Sequence, residues 1–157
     1  MKCRGGVELK LSTKGRYGVK AMLDLAVHYG TEPISIKSIS ERQGISEYYL
    51  EQLFAPLRRA GLIKSVRGAQ GGYILNRKPI EITVLEIMDV LEGPVEISEC
   101  LDNDECNKFE SCATRVLWKK IQMSINSVME NVTLQEMLND YISKQATQIN
   151  EGIFIHE

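Results

Sequence analysis

Two short helical segments separated by a single Gly44-Ile45-Ser46 turn, a glycine-rich hairpin directly after them, and apolar residues at helical spacing through residues 113–130 predict the fold class. It is a mainly α chain: a winged helix-turn-helix domain with a small β-hairpin wing, plus a long dimerisation helix. The 157 residues suffice for one such domain and an association element.

Residues 12–29, STKGRYGVKAMLDLAVHY, read as the first helix. Tyr17, Ala21, Met22, Leu25 and Ala26 form its buried face, and Arg16, Lys20, Asp24 and His28, spaced by four, form a polar stripe. His28 is therefore expected to be solvated. Ser35 N-caps a short second helix that Gly44 stops. Ser46 opens the third, EYYLEQLFAPLRRAG, closed by Gly61. On it Leu50, Leu53, Phe54 and Leu57 fall on one core-facing stripe, which leaves Tyr48, Glu51 and Gln52 on the opposite side. Leu62–Val66 and Tyr73–Leu75 flank a Gly-rich turn and read as a hairpin with Arg67 at its tip and Lys64, Arg77 and Lys78 on its flanks. Thr83 and Glu86 make a capping box for VLEIMDVLE, which Gly93-Pro94 ends. Leu117, Ile121, Ile125, Val128 and Val132 mark a long amphipathic helix, and Thr133 with Glu136 starts a last helix to about residue 143. The tail beyond it shows no pattern. The expected organisation is a DNA-binding domain over 9–80, a connecting helix and turn over 81–99, a cysteine loop over 100–112, the dimerisation and C-terminal helices over 113–143, and a tail over 144–157.

Charge divides along the same line. The net charge is −2, yet residues 1–78 carry 14 Lys and Arg against 6 Asp and Glu, a balance of +8. Residues 79–157 carry 5 against 15, a balance of −10. Such segregation predicts that one end meets a polyanion while the other serves a different purpose. The opening MKCRGGVELK lacks the apolar core of a secretory signal, and no apolar run approaches the roughly 20 residues of a membrane span. A cytoplasmic protein without membrane contact is expected.

A winged helix-turn-helix sets its third helix in the major groove and its wing on phosphate or in the minor groove. Gln52 can pair bidentately with adenine, Glu51 can accept from the cytosine amino group, and Tyr48 can reach a phosphate or a thymine methyl. An acidic residue near phosphates is costly unless it reads a base, which makes Glu51 the better specificity candidate. Arg58, Arg59 and Arg67 are suited to phosphates, and Arg16 and Ser46 join the candidate DNA-binding residues. Taken singly these side chains are also what a solvated helix face carries. Helix-turn-helix, wing and the +8 half together point to double-stranded DNA.

CLDNDECNKFESC, residues 100–112, holds three of the four cysteines at steps of six. In a helix each step turns about 240°, so the sulfurs could not converge. The intervening Asp and Asn favour an irregular loop, which can wrap three thiols around one centre. Structural zinc wants pairs two to four residues apart, and ferredoxin spacings do not fit. Cys100, Cys106 and Cys112 thus point to a soft metal or an iron–sulfur cluster, with a thiol switch as the other reading. An iron–sulfur electron carrier is opposed by the helix-turn-helix and wing. With two histidines, one on the polar stripe and one in the tail, no nucleophile–base pair is visible, and an enzyme is not expected.

LKLSTKGRYGVKAMLDLA and ISERQGISEYYLEQLFAPLRRAGLIKSVRGAQGGYIL closely resemble the Rrf-two (Rrf2) family of bacterial transcription regulators, and the likeness covers most of residues 9–140. The C-x5-C-x5-C array is similar to that of the family's iron–sulfur cluster regulators, which implies a 2Fe–2S cluster on Cys100, Cys106 and Cys112. That branch takes its fourth ligand from a histidine three residues after the third cysteine; here the position is Arg115. A nitric-oxide-sensing branch uses an acidic residue where this chain has Arg16. Candidates for the fourth ligand are His28, His156, Cys3, Asp102 or a residue of a partner chain, and a 4Fe–4S form stays open. The wing RGAQGGY and the LEGP turn look closer to the family's repressors of cysteine metabolism, which lack the array. Their likeness implies control by a partner protein or a thiol switch. The resemblance implies a homodimeric regulator, mostly a repressor, on an imperfect palindrome, with genes of iron–sulfur cluster biogenesis or related sulfur and iron metabolism as targets.

Overall fold

A computed structural model describes residues 12–95, 97 and 112–153. Cys3, Cys100, Asp102, Cys106 and His156 lie outside the described residues. In chain order the elements are α1 (Thr13–Val27), α2 (Ile36–Gln43), α3 (Glu47–Arg59), β1 (Ile63–Val66), β2 (Gly72–Leu75), a 3-10 turn at Pro79–Glu81, α4 (Val84–Glu92), α5 (Ala113–Asn131) and α6 (Leu134–Ile153).

Local chemistry explains the boundaries. Ser12, Ser35 and Ser46 are N-caps whose hydroxyls accept from the amides of Gly15, Ser38 and Tyr49, satisfying donors that the first turn leaves open. Gly44 ends α2 at φ +65°, a left-handed conformation that a side chain would strain. The Thr83 capping box closes both ways: Thr83 N donates to Glu86 Oε2 at 3.1 Å and Glu86 N to Thr83 Oγ1 at 3.2 Å.

The core forms where apolar stripes of α1 and α3 meet. Leu50, Leu53, Phe54 and Leu57 are fully buried against Ala21, Met22, Leu25 and Ala26, each larger side chain contributing about 1.5–3 kcal/mol by leaving water. β1 and β2 pair antiparallel, from Ile63 opposite Leu75 to Val66 opposite Gly72. This pair is the expected wing, and it is stapled at one edge: Ile34 N donates to Tyr73 O (3.0 Å) and Tyr73 N to Ile34 O (2.8 Å). A Cβ at Gly72 would run into the Ile34 carbonyl, so glycine is needed there.

α4 packs on α1 through Gly18, whose missing side chain makes room for Leu91. At the end of α4, Glu92 accepts from Gly15 N (2.6 Å) and from the Ser12 hydroxyl, a second cap on the start of α1. Two departures from the sequence reading stand out. α6 continues to Ile153, ten residues past the expected end near 143, through a stretch with no marked apolar period. Asp24, placed on a polar stripe, is 4% exposed and lies inside the α1–α2 contact.

Candidate nucleic-acid interface and the cysteine segment

The outward face of α3 follows from its inward one. With Leu50, Leu53 and Phe54 in the core, Glu47, Tyr48, Glu51 and Gln52 are exposed, Tyr48 at 71%. Ser46 is exposed too, but its oxygen already accepts Tyr49 N at 3.3 Å, leaving the hydroxyl proton and the helix N-terminus for an anion. Arg58 and Arg59 stand exposed in the last turn, where the helix dipole favours cations. α3 runs through Pro56, which has no N–H to return to the Gln52 carbonyl.

Arg67 follows β1 directly and is exposed at the wing tip. The turn there is built on Gly68 (φ +132°), whose carbonyl accepts Gly71 N at 3.0 Å. Arg77, on the wing flank, is held by Glu86 Oε1 at 2.7 Å. Arg16 is exposed in the first turn of α1, away from α3 in the sequence of elements. It lines, with Lys20, an apolar cleft of about 440 Å³ among α1, α4, α5 and α6.

The cysteine segment is fastened at both ends to α5. Cys112 is the half-buried N-cap of α5, its Sγ 3.2 Å from Thr114 Oγ1, and Arg115 N donates to its carbonyl at 3.2 Å. At the other end, Gln122 accepts from Ile97 N (3.1 Å) through Oε1 and donates through Nε2 to the Val95 carbonyl. Gln122 lies ten residues beyond Cys112, about 15 Å along the helix. The chain thus meets the middle of α5 at Val95 and Ile97 and its N-terminus at Cys112. Among the described residues no three His, Cys, Asp or Glu side chains gather as a metal site. His28, a fourth-ligand candidate, is half-buried, and its Nδ1 donates to the Asp24 carbonyl at 2.8 Å.

α5 carries an apolar surface. Val116 (58%), Leu117 (51%), Met123 (62%) and Val128 (63%) are exposed, and only Met129 of this helix is buried. The sequence stripe included Leu117 and Val128 but not Val116 or Met123, and its Ile121, Ile125 and Val132 are half-buried. Sequence reasoning missed Gln122, whose role depends on a contact 25 residues away in the chain. It also missed the Asp24 contact, although Ala21 and Leu25 on either side of it signalled a buried face. No helix among the described residues is long and apolar enough to cross a membrane.

Three comparisons place the chain. Residues 11–140 match the Rrf2 family, described as an iron-dependent transcriptional regulator. The chain is 46% identical over 129 residues to the HTH-type transcriptional regulator CymR of Bacillus subtilis, covering 82% of this chain and 89% of that protein. The solved structure of that B. subtilis protein, described as the global cysteine regulator, matches at TM-score 0.73 over 83% of this chain and 97% of the other. The HTH-type transcriptional regulator IscR of Aliivibrio salmonicida is 44% identical over 132 residues, covering 84% and 79%. The solved structure of T. potens IscR matches at TM-score 0.72 and 52% identity, over 87% and 91%. Winged-helix architecture, family match and relatives agree: the chain belongs to the Rrf2 family of DNA-binding transcriptional regulators.

Proposed function

We propose that this regulator senses an iron–sulfur cluster held by Cys100, Cys106 and Cys112, and that cluster occupancy changes how a homodimer grips an imperfect palindrome. The observation that carries the reading is the three-thiol array on a segment whose ends are both fastened to α5, by Cys112 and by Gln122. Sulfur donors suit iron. The cluster would supply a state that is gained or lost with iron supply or oxidation. The protein's own residues do the rest: Gln122 holds the entry to the segment, Cys112 its exit, and α5 carries any change of order between them.

On DNA, Glu51 and Gln52 read base edges while Tyr48, Ser46, Arg58, Arg59 and Arg67 fix the register on phosphates. Arg16 adds a flanking cation from α1. Exposed Val116, Leu117, Met123 and Val128 support a second copy along α5, since a two-fold dimer presents two recognition helices to two half-sites. Genes of cluster biogenesis or related sulfur and iron metabolism are the proposed targets, mostly repressed, in the cytoplasm.

The 46% identity to CymR favours a second reading, a regulator of cysteine metabolism in which the same cysteines form a thiol switch or a partner protein provides control. Oxygen-free purification followed by an absorption spectrum and iron and sulfide counts separates the two. Coloured protein with iron and sulfide in equal amounts is expected, two of each per chain for a 2Fe–2S cluster and four for 4Fe–4S. Colourless protein that takes up no iron on reconstitution removes the cluster and leaves the thiol switch or the partner protein.

A further inference from the structure

We propose that Asp24 is a positioning residue for operator recognition, its buried carboxylate setting the last turn of α2 and thereby the angle at which α3 meets DNA. The inference rests on the reading of α3 as the DNA-facing helix.

Asp24 is the one buried polar or charged residue among the described residues. Three donors converge on its two oxygens, all from the final two residues of α2: Arg42 Nε to Oδ2 at 3.0 Å, Arg42 Nη2 to Oδ1 at 2.6 Å, and Gln43 Nε2 to Oδ2 at 2.8 Å. The hydrogen bond to Asp24 is also the main reason the Arg42 guanidinium is held above its ordinary range. His28 closes the group from the end of α1, its Nδ1 3.7 Å from Oδ1.

Only Gly44 and Ile45 separate this clamp from Ser46, the cap of α3, and Ile45 is itself buried. A rotation of the last turn of α2 therefore passes directly to the first turn of α3, where Tyr48, Glu51 and Gln52 begin. The apolar contacts of Ile39 and Leu50 hold the helices together but are non-directional. A bidentate guanidinium–carboxylate pair has a fixed plane and so fixes an angle. The Arg42 side chain stays 39% exposed, and an ion pair open to water on one side contributes little to stability. Orientation is what this one supplies.

The test uses the full chain and fluorescence anisotropy on two duplexes: an operator selected by the wild-type protein from a random-sequence pool, and unrelated DNA of equal length at low salt. Asp24→Asn keeps the volume but sets an amide against the donors. Operator affinity is expected to fall about tenfold or more, the worth of one well-placed base contact. Binding to unrelated DNA and the salt slope should stay within about twofold of wild type, because the phosphate-facing cations are untouched. Unchanged operator binding, or an equal loss on both duplexes, overturns the inference. If circular dichroism shows Asp24→Asn unfolded at the assay temperature, Arg42→Lys decides: it keeps the charge and loses the fork. The same operator-selective loss is then expected, and wild-type operator binding overturns the inference. Failure of the reading beneath it would show separately, as wild-type protein without preference for any duplex.

Discussion

At single residues, burial decides which polar groups are open to a ligand and which hold the protein together. Glu51 and Arg67 are both exposed, yet their chemistry assigns them different tasks. Arg67→Ala should weaken binding about equally on all sequences and lower the salt slope by about 1, because one phosphate contact is lost. Glu51→Ala should mainly relax preference at one base position, worth about 1–3 kcal/mol of discrimination. Anisotropy titrations across salt and across single-base operator variants check both, and unchanged binding in both would remove this DNA face. The same logic shows where the sequence misleads. Spacing by four put Asp24 on a line with Arg16 and Lys20, which are exposed, but α2 packs over that part of α1 and encloses it. A period along one helix does not reveal which neighbour will cover it.

Between elements, what was legible was whatever is local. The Ser35 and Ser46 caps, Gly44, the Thr83 capping box and the apolar stripes of α1 and α3 all depend on residues a few positions apart, and each lies where the sequence puts it. Ile34 on the wing edge, Glu92 on the start of α1 and Gln122 on Val95 and Ile97 depend on chain-distant partners and were not legible. α6 outran its expected end because helix continuation there needs no apolar period, only the absence of Gly or Pro before Gly152. Gln122 offers a direct check. Gln122→Ala leaves the Val95 carbonyl and the Ile97 amide without that partner, and a loss of about 1–3 kcal/mol in unfolding free energy is expected from denaturant titration. A loss below about 0.5 kcal/mol would mean that the latch contributes nothing beyond a surface contact.

For the whole molecule, the division of labour follows the division of charge. The basic half forms the helix-turn-helix and wing, and the acidic half contains α4, α5, α6 and the cysteine segment. An α5 with Leu117 and Val128 more than half exposed is poorly suited to an isolated chain. Leu117→Glu is expected to shift sedimentation from dimer toward monomer and to weaken operator binding by at least about tenfold, since two half-sites are no longer bound together. Retention of a wild-type dimer would place the interface elsewhere. The coupling of cysteine segment to DNA is tested most directly by operator affinity in the presence and absence of the cluster, measured oxygen-free on reconstituted wild-type protein and on the triple variant Cys100→Ser, Cys106→Ser, Cys112→Ser. A difference of about fivefold or more at the selected operator is expected from a coupling of 1–3 kcal/mol; equal affinity on every operator tried would contradict it.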